Sequence, residues 1–454
     1  MVYKITKGVV QNMKNKRWFA GFLIIIMMIS LVACGKTDAS QISKNSSKVQ
    51  VQLQNSNADD IEEVDAESAV FDFAVQLFQN SVNVSEQEGD MENVLIAPTS
   101  VLTALAMTAN GAEEETLRQM EETLGLPREA LNDYMKSFLK DLPNGEKYEL
   151  HMANSIWIKD EEGFCVEDTF LETNQNYYDA DIFEKAFDNN TLTEINAWVK
   201  EKTKGMIEEV LAQIPDEAVM YVINALAFEA EWEEIYNATQ IRNGVFTLEN
   251  GLQQEAEFMY SEEAMYLEDE KATGFHKYYA DKKYAFVALL PKEEVTISEY
   301  VASLSGDKLQ SLLKNPVEVQ VNAAIPKFET YDEVLLNNTL ESMGMEDVFD
   351  AKKADLSGIG SHVNGNLWVD RVIHKTHIEV DAKGTKAGAA TVAEILCESA
   401  METLEAKTVY LNRPFVYMII ECENNQPIFI GTTTCIFPYV KCGVEEICSY
   451  PVMD

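Results

Sequence analysis

A series of long apolar segments in the second half of the chain limits the fold more than any other feature. These segments are typical of buried strands, because they are rich in β-branched and aromatic residues and several are apolar on both faces. The predicted strands are MYVINALAFEAEW (220–232), KYAFVALLP (283–291), VEVQVNAAIPKF (317–328), LWVDRVIHKTHIEV (367–380), RPFVYMIIEC (413–422) and QPIFIGTTT (426–434).

Helical periods dominate the first half. Apolar residues recur at helical spacing in 67–82, 99–112 and 194–211, and the short strand NVLIAP lies between the first two. Thr99 or Ser100 is the predicted N-cap of the second helix. Since no Pro/Gly-rich linker divides the chain, we expect one large α+β domain over residues 67–438.

The N-terminus has the features of a secretory signal. Five basic residues precede the apolar run WFAGFLIIIMMISLVA, which ends directly before Cys34. LVAC resembles the bacterial lipobox, so we expect residues 1–33 to be removed and Cys34 to be lipidated. A plain transmembrane anchor and a signal that is cut elsewhere are the alternatives. The expected location is the outer face of the cell, held to the membrane by the lipid alone.

Two further segments flank the predicted domain. Residues 34–66 are rich in Ser, Asn, Gln and Asp and are predicted to be a flexible tether, and residues 439–454 form a C-terminal tail. Six cysteines remain beyond the lipidation site: Cys165, Cys397, Cys422, Cys435, Cys442 and Cys448. Cys442 could pair with Cys448 and Cys422 with Cys435, but the spacing does not decide the pairing.

Composition and motifs argue against several functions. A net charge of −40 disfavours nucleic acid as a partner. His374 and His377 are three apart in a strand and so face opposite ways, which makes a shared metal ion geometrically poor. Motifs for nucleotide binding or hydrolysis are absent. A hydrolase that pairs Cys397 with His374 is a remote alternative, and we predict neither a catalytic site nor a cofactor.

The segment from Thr385 to Leu396 has an unusual alternation. Read as a strand, one face is small and apolar throughout, whereas Lys386 and Glu394 both fall on the other face. Small inward residues suit entry into a sheet whose core side is already packed. The pattern fails at Glu398, which ends an insertable piece of roughly 40 Å for about twelve residues. An ordinary edge strand or a short helix would give the same pattern.

In this context the chain resembles the serpins. NVLIAPTSVLTALAMTANGA is similar to a serpin strand and helix, with Ala97 in place of the usual serine. INAWVKEKTKGMI, VINALAFEAEW, IPKFE, VIHKTHIEVDAKGTKAGAAT, RPFVYMII and PIFIGT follow in the family's order. The resemblance implies three β-sheets with about eight or nine helices and an exposed reactive-centre loop at about 382–411.

The resemblance also implies a function. Serpins inhibit serine proteases as suicide substrates: the loop is cut, and the freed segment enters the large sheet while the acyl-protease is trapped. The hinge residues would be Gly384, Thr385, Ala387, Gly388, Ala389 and Ala390. Ser100, Asn224 and His374 match the family's shutter, a polar cluster beneath the opening sheet. A non-inhibitory serpin-fold binding protein is the alternative.

By the family's spacing the scissile bond is Glu398–Ser399, with Cys397, Met401 and Leu404 as alternatives. No Lys or Arg lies between Lys386 and Lys407, so a trypsin-like target is disfavoured. The expected partner of this monomeric inhibitor is an extracellular elastase-like, chymotrypsin-like or glutamate-preferring serine protease, or else a cysteine protease.

One position departs from the family's pattern. Serpins usually have Glu where Ala382 stands, paired with a lysine at the position of Lys327. Without that pair we expect the top of the large sheet to open more readily.

Overall fold

The computed structural model describes residues 48–52, 61–87, 93–385 and 405–436, and the following account concerns these residues. The helices are α1 Ala66–Gln87, α2 Pro98–Ala109, α3 Glu114–Leu124, α4 Arg128–Asp141, α5 Asp168–Tyr178, α6 Asn189–Lys202, α7 Ile297–Ser303, α8 Gly306–Lys314 and α9 Asn337–Ser342.

The strands lie mainly in the second half, as predicted. They are β1 Lys48–Gln52, β2 Ile61–Asp65, β3 Leu95–Ile96, β4 Tyr148–Lys159, β5 Phe164–Val166, β6 Asp181–Lys185, β7 Met220–Glu231, β8 Ile241–Thr247, β9 Gln253–Glu268, β10 Ala272–Tyr278, β11 Tyr284–Pro291, β12 Val317–Pro326, β13 Phe328–Leu335, β14 Gly360–His362, β15 Ile373–Val380, β16 Gly384–Thr385, β17 Lys407–Tyr410, β18 Phe415–Glu421 and β19 Pro427–Thr433.

Three large sheet regions form the architecture, which confirms the predicted α+β class. The first is a six-stranded sheet in the order β13-β15-β16-β7-β4-β6. The other two share the long strand β9. Its first part pairs with β8 and β12, and its last residues pair with β10, which leads through β11, β18 and β19 to β3.

The main core lies between the helices of the first half and these sheets. In α1 the apolar stripe buries Phe71, Phe73 and Phe78, each at most 1% exposed. Helix α2 is buried along nearly its whole length and packs against β7 and β19. The wide apolar face of α2 places its first turn directly beneath the six-stranded sheet.

Three local predictions differ from the structure. Helix α6 ends at Lys202 rather than near 211, because Lys204 and Gly205 adopt positive φ angles of 50° and 82°. The strand predicted from 367 begins only at Ile373. Neither Thr99 nor Ser100 caps α2: the cap position is Ala97, no side-chain cap bond forms, and Pro98 is the first helical residue.

The predicted tether also contains regular structure. Strands β1 and β2 pair antiparallel, with Lys48 opposite Asp65 and Gln52 opposite Ile61. The alternation KVQVQ is a short strand period, and it lies within a segment predicted to be wholly flexible. Within the described ranges, no helix combines the length and the apolar character that crossing a membrane requires.

Candidate functional site: the hinge and the gap beside it

The six-stranded sheet is interrupted between β7 and β15. Strand β7 pairs with β4 along Met220–Ala230, and β15 pairs with β13 along its whole length. On their facing sides the two strands are joined only through the two residues of β16, and no ladder links them to each other in the described part of the chain. Facing strand edges without a partner can accept another strand.

A cavity of about 910 Å³ lies along this interruption. Val222 and Leu226 of β7, Thr376 of β15, Val101 of α2 and Ile207 are among the residues that line it. The lining is mainly apolar, so a strand that enters between β7 and β15 would present its inner face to an apolar space.

The hinge enters the top of the interruption. Thr385 is paired with Ala230 on one side and with Val380 on the other, and Gly384 is paired with Glu231. A Cβ atom at Gly384 would collide with the carbonyl of Ala230, so the close approach of the two backbones requires glycine here.

A tight turn brings the hinge back against β15. The Asp381 carboxylate accepts hydrogen bonds from the amides of Lys383 at 2.7 Å and Gly384 at 3.1 Å. The amide of Asp381 donates to the Gly384 carbonyl at 3.0 Å. The sequence analysis missed Asp381, although an aspartate three residues before a glycine is a turn signal.

Thr385 is buried, with 2% of its surface exposed. Its hydroxyl is 2.6 Å from the hydroxyl of Tyr279, which stacks on Trp232 at a centroid distance of 4.4 Å. Trp232 was matched to the family, but Tyr279 was not singled out because its contact with residue 385 spans 106 positions. The side chain of Thr385, the first inserted residue, therefore already occupies a buried position with a hydrogen-bond partner.

The predicted shutter residues all line the cavity, and two of them are in direct contact. The hydroxyl of Ser100 donates to the Asn224 side chain, and the Asn224 amide group donates to Asn154 at 2.8 Å. Asn154 in turn donates to the carbonyl of Tyr178 at 2.8 Å. This chain of bonds ties α2, β7 and β4 together behind the gap.

His374 occupies the opposite side of the gap, on β15. Its Nε2 atom accepts the amide of Ala97 at 3.0 Å, and the ring is 6% exposed. Burial lowers the pKa of His374 to about 4, because the charged ring would lose its hydration. A histidine whose Nε2 lone pair already accepts a backbone amide, and whose pKa is well below neutral pH, does not suit the general base of the hydrolase alternative.

His374 makes the stability pH-dependent. The pKa in the folded state is lower than the ordinary 6.5, so the unfolded chain binds the proton more readily as pH falls. The neutral, buried His374 therefore contributes fully to the free energy of unfolding above pH 6.5. This contribution is lost as the pH falls towards about 4, by about 3 kcal/mol in total.

Urea unfolding of wild type and His374→Gln between pH 7.5 and 4.5 measures this effect. We expect the variant to lose stability less steeply than wild type over that range. His276→Gln is the matched comparison, since burial also lowers the pKa of His276 to about 4. Identical pH slopes in all three proteins would contradict the assignment.

The remaining predicted site residues lie outside the described residues. These are Cys34, Ala387, Gly388, Ala389, Ala390, Cys397, Glu398, Ser399, Met401 and Leu404, together with Cys442 and Cys448. Within the described ranges no group of three His, Cys, Asp or Glu side chains could hold a metal ion.

The pairing of Cys422 with Cys435, which the spacing left open, is not formed, since Cys422 is a free thiol. Cys422 follows β18 at the turn of the β18–β19 hairpin, whereas Cys435 lies beyond Thr433, which pairs with Phe415 at the far end. Several rungs of the ladder separate them, more than the roughly 7 Å between Cα atoms that a disulfide can span.

Lys327, the predicted partner of a glutamate at position 382, has another partner. Its ammonium group is 2.7 Å from the carboxylate of Glu257. The backbone carbonyl of Ala382 accepts the amide of Tyr236 at 2.9 Å. The hinge therefore has backbone contacts here but lacks the side-chain pair usual in serpins.

We expect Ala382→Glu to slow conversion to an inactive latent form on heating. The new carboxylate would compete with Glu257 for Lys327 and tie the top of the sheet together, an effect of about 1 kcal/mol at a partly exposed site. The half-time of activity loss at a fixed elevated temperature measures it, with Ala382→Gln as the uncharged control. Equal or shorter half-times in the glutamate variant would refute the idea.

A sheet that is interrupted beside a buried hinge defines a class of protein that can take up one more strand. A family model described as Serpin (serine protease inhibitor) matches residues 68–436. The chain belongs to the serpin family, whose members are mostly protease inhibitors and not enzymes.

Individual relatives agree with this membership. An uncharacterized serpin-like protein of Thermococcus kodakarensis is 30% identical over 357 residues, or 76% of this chain and 81% of the relative. Leukocyte elastase inhibitor of Xenopus tropicalis is 29% identical over 382 residues, or 80% and 97%. The crystal structure of the thermophilic serpin tengpin in its native state superposes with a TM-score of 0.76 at 46% identity, over 85% of this chain and 96% of tengpin.

Proposed function

We propose that the chain is a suicide inhibitor of extracellular serine proteases. One observation carries this proposal: residues 384–385 already form a strand at the top of the space between β7 and β15, where no other described residue pairs with the facing edges. The segment 385–396 has twelve residues, and β7, which borders the space, also has twelve. Two strands of equal residue number have equal lengths, so the segment fits the space.

The proposed chemistry begins with cleavage of the peptide bond between Glu398 and Ser399. The serine of the protease attacks the carbonyl of Glu398, the bond to Ser399 breaks, and an ester joins Glu398 to the protease. The chain that ends at Glu398 is now free to extend β16 between β7 and β15. Trapping requires that this insertion be faster than hydrolysis of the ester by water.

The nature of the scissile bond limits the target. Glu398 favours a glutamate-preferring protease, whereas Cys397, Met401 or Leu404 would favour elastase-like or chymotrypsin-like enzymes. Relatives of the chain include leukocyte elastase inhibitors, which act on a protease of this second kind according to their name. The proposed targets include cysteine proteases, because these enzymes form a comparable thioester.

Incubation with a panel of such proteases, followed by denaturing gels and mass spectrometry, tests the proposal. We expect an SDS-stable complex with a serine protease and a released C-terminal fragment that begins at Ser399. Cleavage before Glu394 would refute the proposed position of the bond. Cleavage without any stable complex would favour a non-inhibitory serpin-fold binding protein instead.

We also propose that the mature protein is a monomeric lipoprotein on the outer cell surface. The proposed layout is a signal peptide at 1–33, a lipidated Cys34 with its linker to 66, the serpin domain at 67–438 and a tail at 439–454. The basic, apolar and LVAC segments of the N-terminus support this layout.

We expect Cys34→Ser to move the protein out of the membrane fraction of an expressing bacterium, because the acyl chains supply the membrane affinity. Cell fractionation and the mass of the N-terminal peptide measure the change. Cys165→Ser, at an exposed cysteine of β5, is the control and should stay with the membrane. If the Cys34 variant also stays there, the anchor is not a lipid on this residue.

A further inference from the structure

The hinge backbone is held by two aromatic residues. Trp232 donates its amide to the Lys383 carbonyl at 2.8 Å and its indole N–H to the Asp381 carbonyl at 2.8 Å. Tyr236 donates its amide to the Ala382 carbonyl at 2.9 Å. Three consecutive carbonyls before Gly384 therefore depend on the positions of Trp232 and Tyr236.

A buried lysine lies against both of these rings. The ammonium of Lys277, on β10, is 4.4 Å from the ring centroid of Tyr236 and 5.3 Å from that of Trp232. Both distances are within the range of cation–π attraction, which is stronger away from water. Trp232 thus contacts both Lys277 and Tyr279, and the Tyr279 hydroxyl bonds to Thr385.

Glu263 balances the charge of Lys277. Its carboxylate is 2.9 Å from the ammonium and also accepts the Ser261 hydroxyl at 2.6 Å. The side chains of Lys277 and Glu263 are only 3% and 12% exposed. Burial lowers the pKa of Lys277, but the neighbouring Tyr236 and Glu263 outweigh it and leave the pKa above its ordinary value.

Burying the ion pair of Lys277 and Glu263 has a cost in free energy, because both charged groups lose their hydration. An apolar side chain on a buried strand avoids the loss of hydration, and replacing such pairs with apolar residues is often neutral or stabilising. A gain in folding stability therefore does not explain why a lysine occupies this buried position. What an apolar residue could not supply is attraction to two aromatic rings at once.

We propose that Lys277, with Glu263 as its counterion, is a positioning residue that keeps the first rung of the insertion ladder preformed. It fixes the rings of Trp232 and Tyr236, these fix the carbonyls of residues 381–383, and Gly384 and Thr385 are thereby paired before any protease arrives. Extension of an existing rung is faster than formation of a new one, because the ordering of the first residues has already taken place.

Amide hydrogen exchange on the intact full-length chain tests the positioning directly. In Lys277→Met we expect the amides of Trp232 and Tyr236 to exchange about tenfold faster, as loss of about 1.4 kcal/mol of local stability predicts. Lys277→Arg keeps a cation over the rings and should restore the wild-type rate. The matched control is Lys375→Met, another lysine with little exposure whose ion pair with Glu333 lies away from these rings.

A second measurement concerns inhibition and rests on the proposed function. With a protease that wild type traps, Lys277→Met should release several-fold more cleaved inhibitor per complex, at an unchanged rate of loop cleavage. The arginine variant should behave as wild type. A purely structural role would instead lower the melting temperature of the cleaved protein without changing this ratio.

The outcomes separate the two proposals. Unchanged exchange at Trp232 and Tyr236 in Lys277→Met, or equally fast exchange in Lys277→Arg, overturns the positioning role whatever the protease result. Absence of any wild-type complex overturns the proposed function and leaves the exchange test valid. If Lys277→Met does not fold, Glu263→Gln decides: faster exchange at the two amides supports the proposal and an unchanged rate overturns it.

Discussion

Thr385→Arg is expected to turn the inhibitor into a substrate: the loop is still cut, but almost no SDS-stable complex forms. Thr385 is 2% exposed, and its hydroxyl meets Tyr279 at 2.6 Å. Arginine here would place a charge in a buried position, which costs several kcal/mol, and its side chain is much larger than the threonine that the position holds. Insertion would slow by orders of magnitude, so hydrolysis of the ester would be completed first.

Densitometry of the complex and of the cleaved inhibitor, at equal protease and inhibitor, measures this partition. Thr385→Ser keeps the hydroxyl and should retain most of the complex. Thr193→Arg adds the same charge at an exposed position of α6 and should behave as wild type. Full retention of complex by Thr385→Arg would mean that residue 385 does not need to enter the sheet.

The sequence predicted the strands and helices well where apolar side chains continued in one pattern along the whole segment. The strands that became β7, β11, β12, β18 and β19 were located to within a few residues, because buried apolar runs leave little choice of structure. The end of α6 was missed because the apolar period continues through Ile207 although Gly205 terminates the helix.

The site could be predicted only in part. The small residues at 384–390 pointed to the hinge, since a local alternation is visible in the chain itself. The space between β7 and β15 was not predictable from either strand alone, because it depends on which strands become neighbours. Lys277 was missed for a similar reason: in the sequence it is one charged residue among many, and its burial against Trp232 and Tyr236 appears only in three dimensions.

Cleavage at the loop is expected to raise the melting temperature of the protein by about 10 °C or more. Within the described residues of the uncleaved chain, ten residues of β7 and seven of β15 have no strand partner on their facing edges. A strand between them would satisfy these groups with ten or more hydrogen bonds, each worth about 1 kcal/mol net. A gain on the order of 10 kcal/mol corresponds to a shift of this size in a domain of several hundred residues.

Differential scanning calorimetry of intact and loop-cleaved protein, run at one scan rate because unfolding can be irreversible, measures the shift. Cleaved Thr385→Arg is the control that separates cutting from insertion: its loop is severed but its strand is excluded, so its melting temperature should stay close to that of the intact chain. A cleaved wild-type protein that melts no higher than the intact one would show that the native fold stores no free energy for trapping a protease. The serpin architecture would then be present without the inhibitory mechanism.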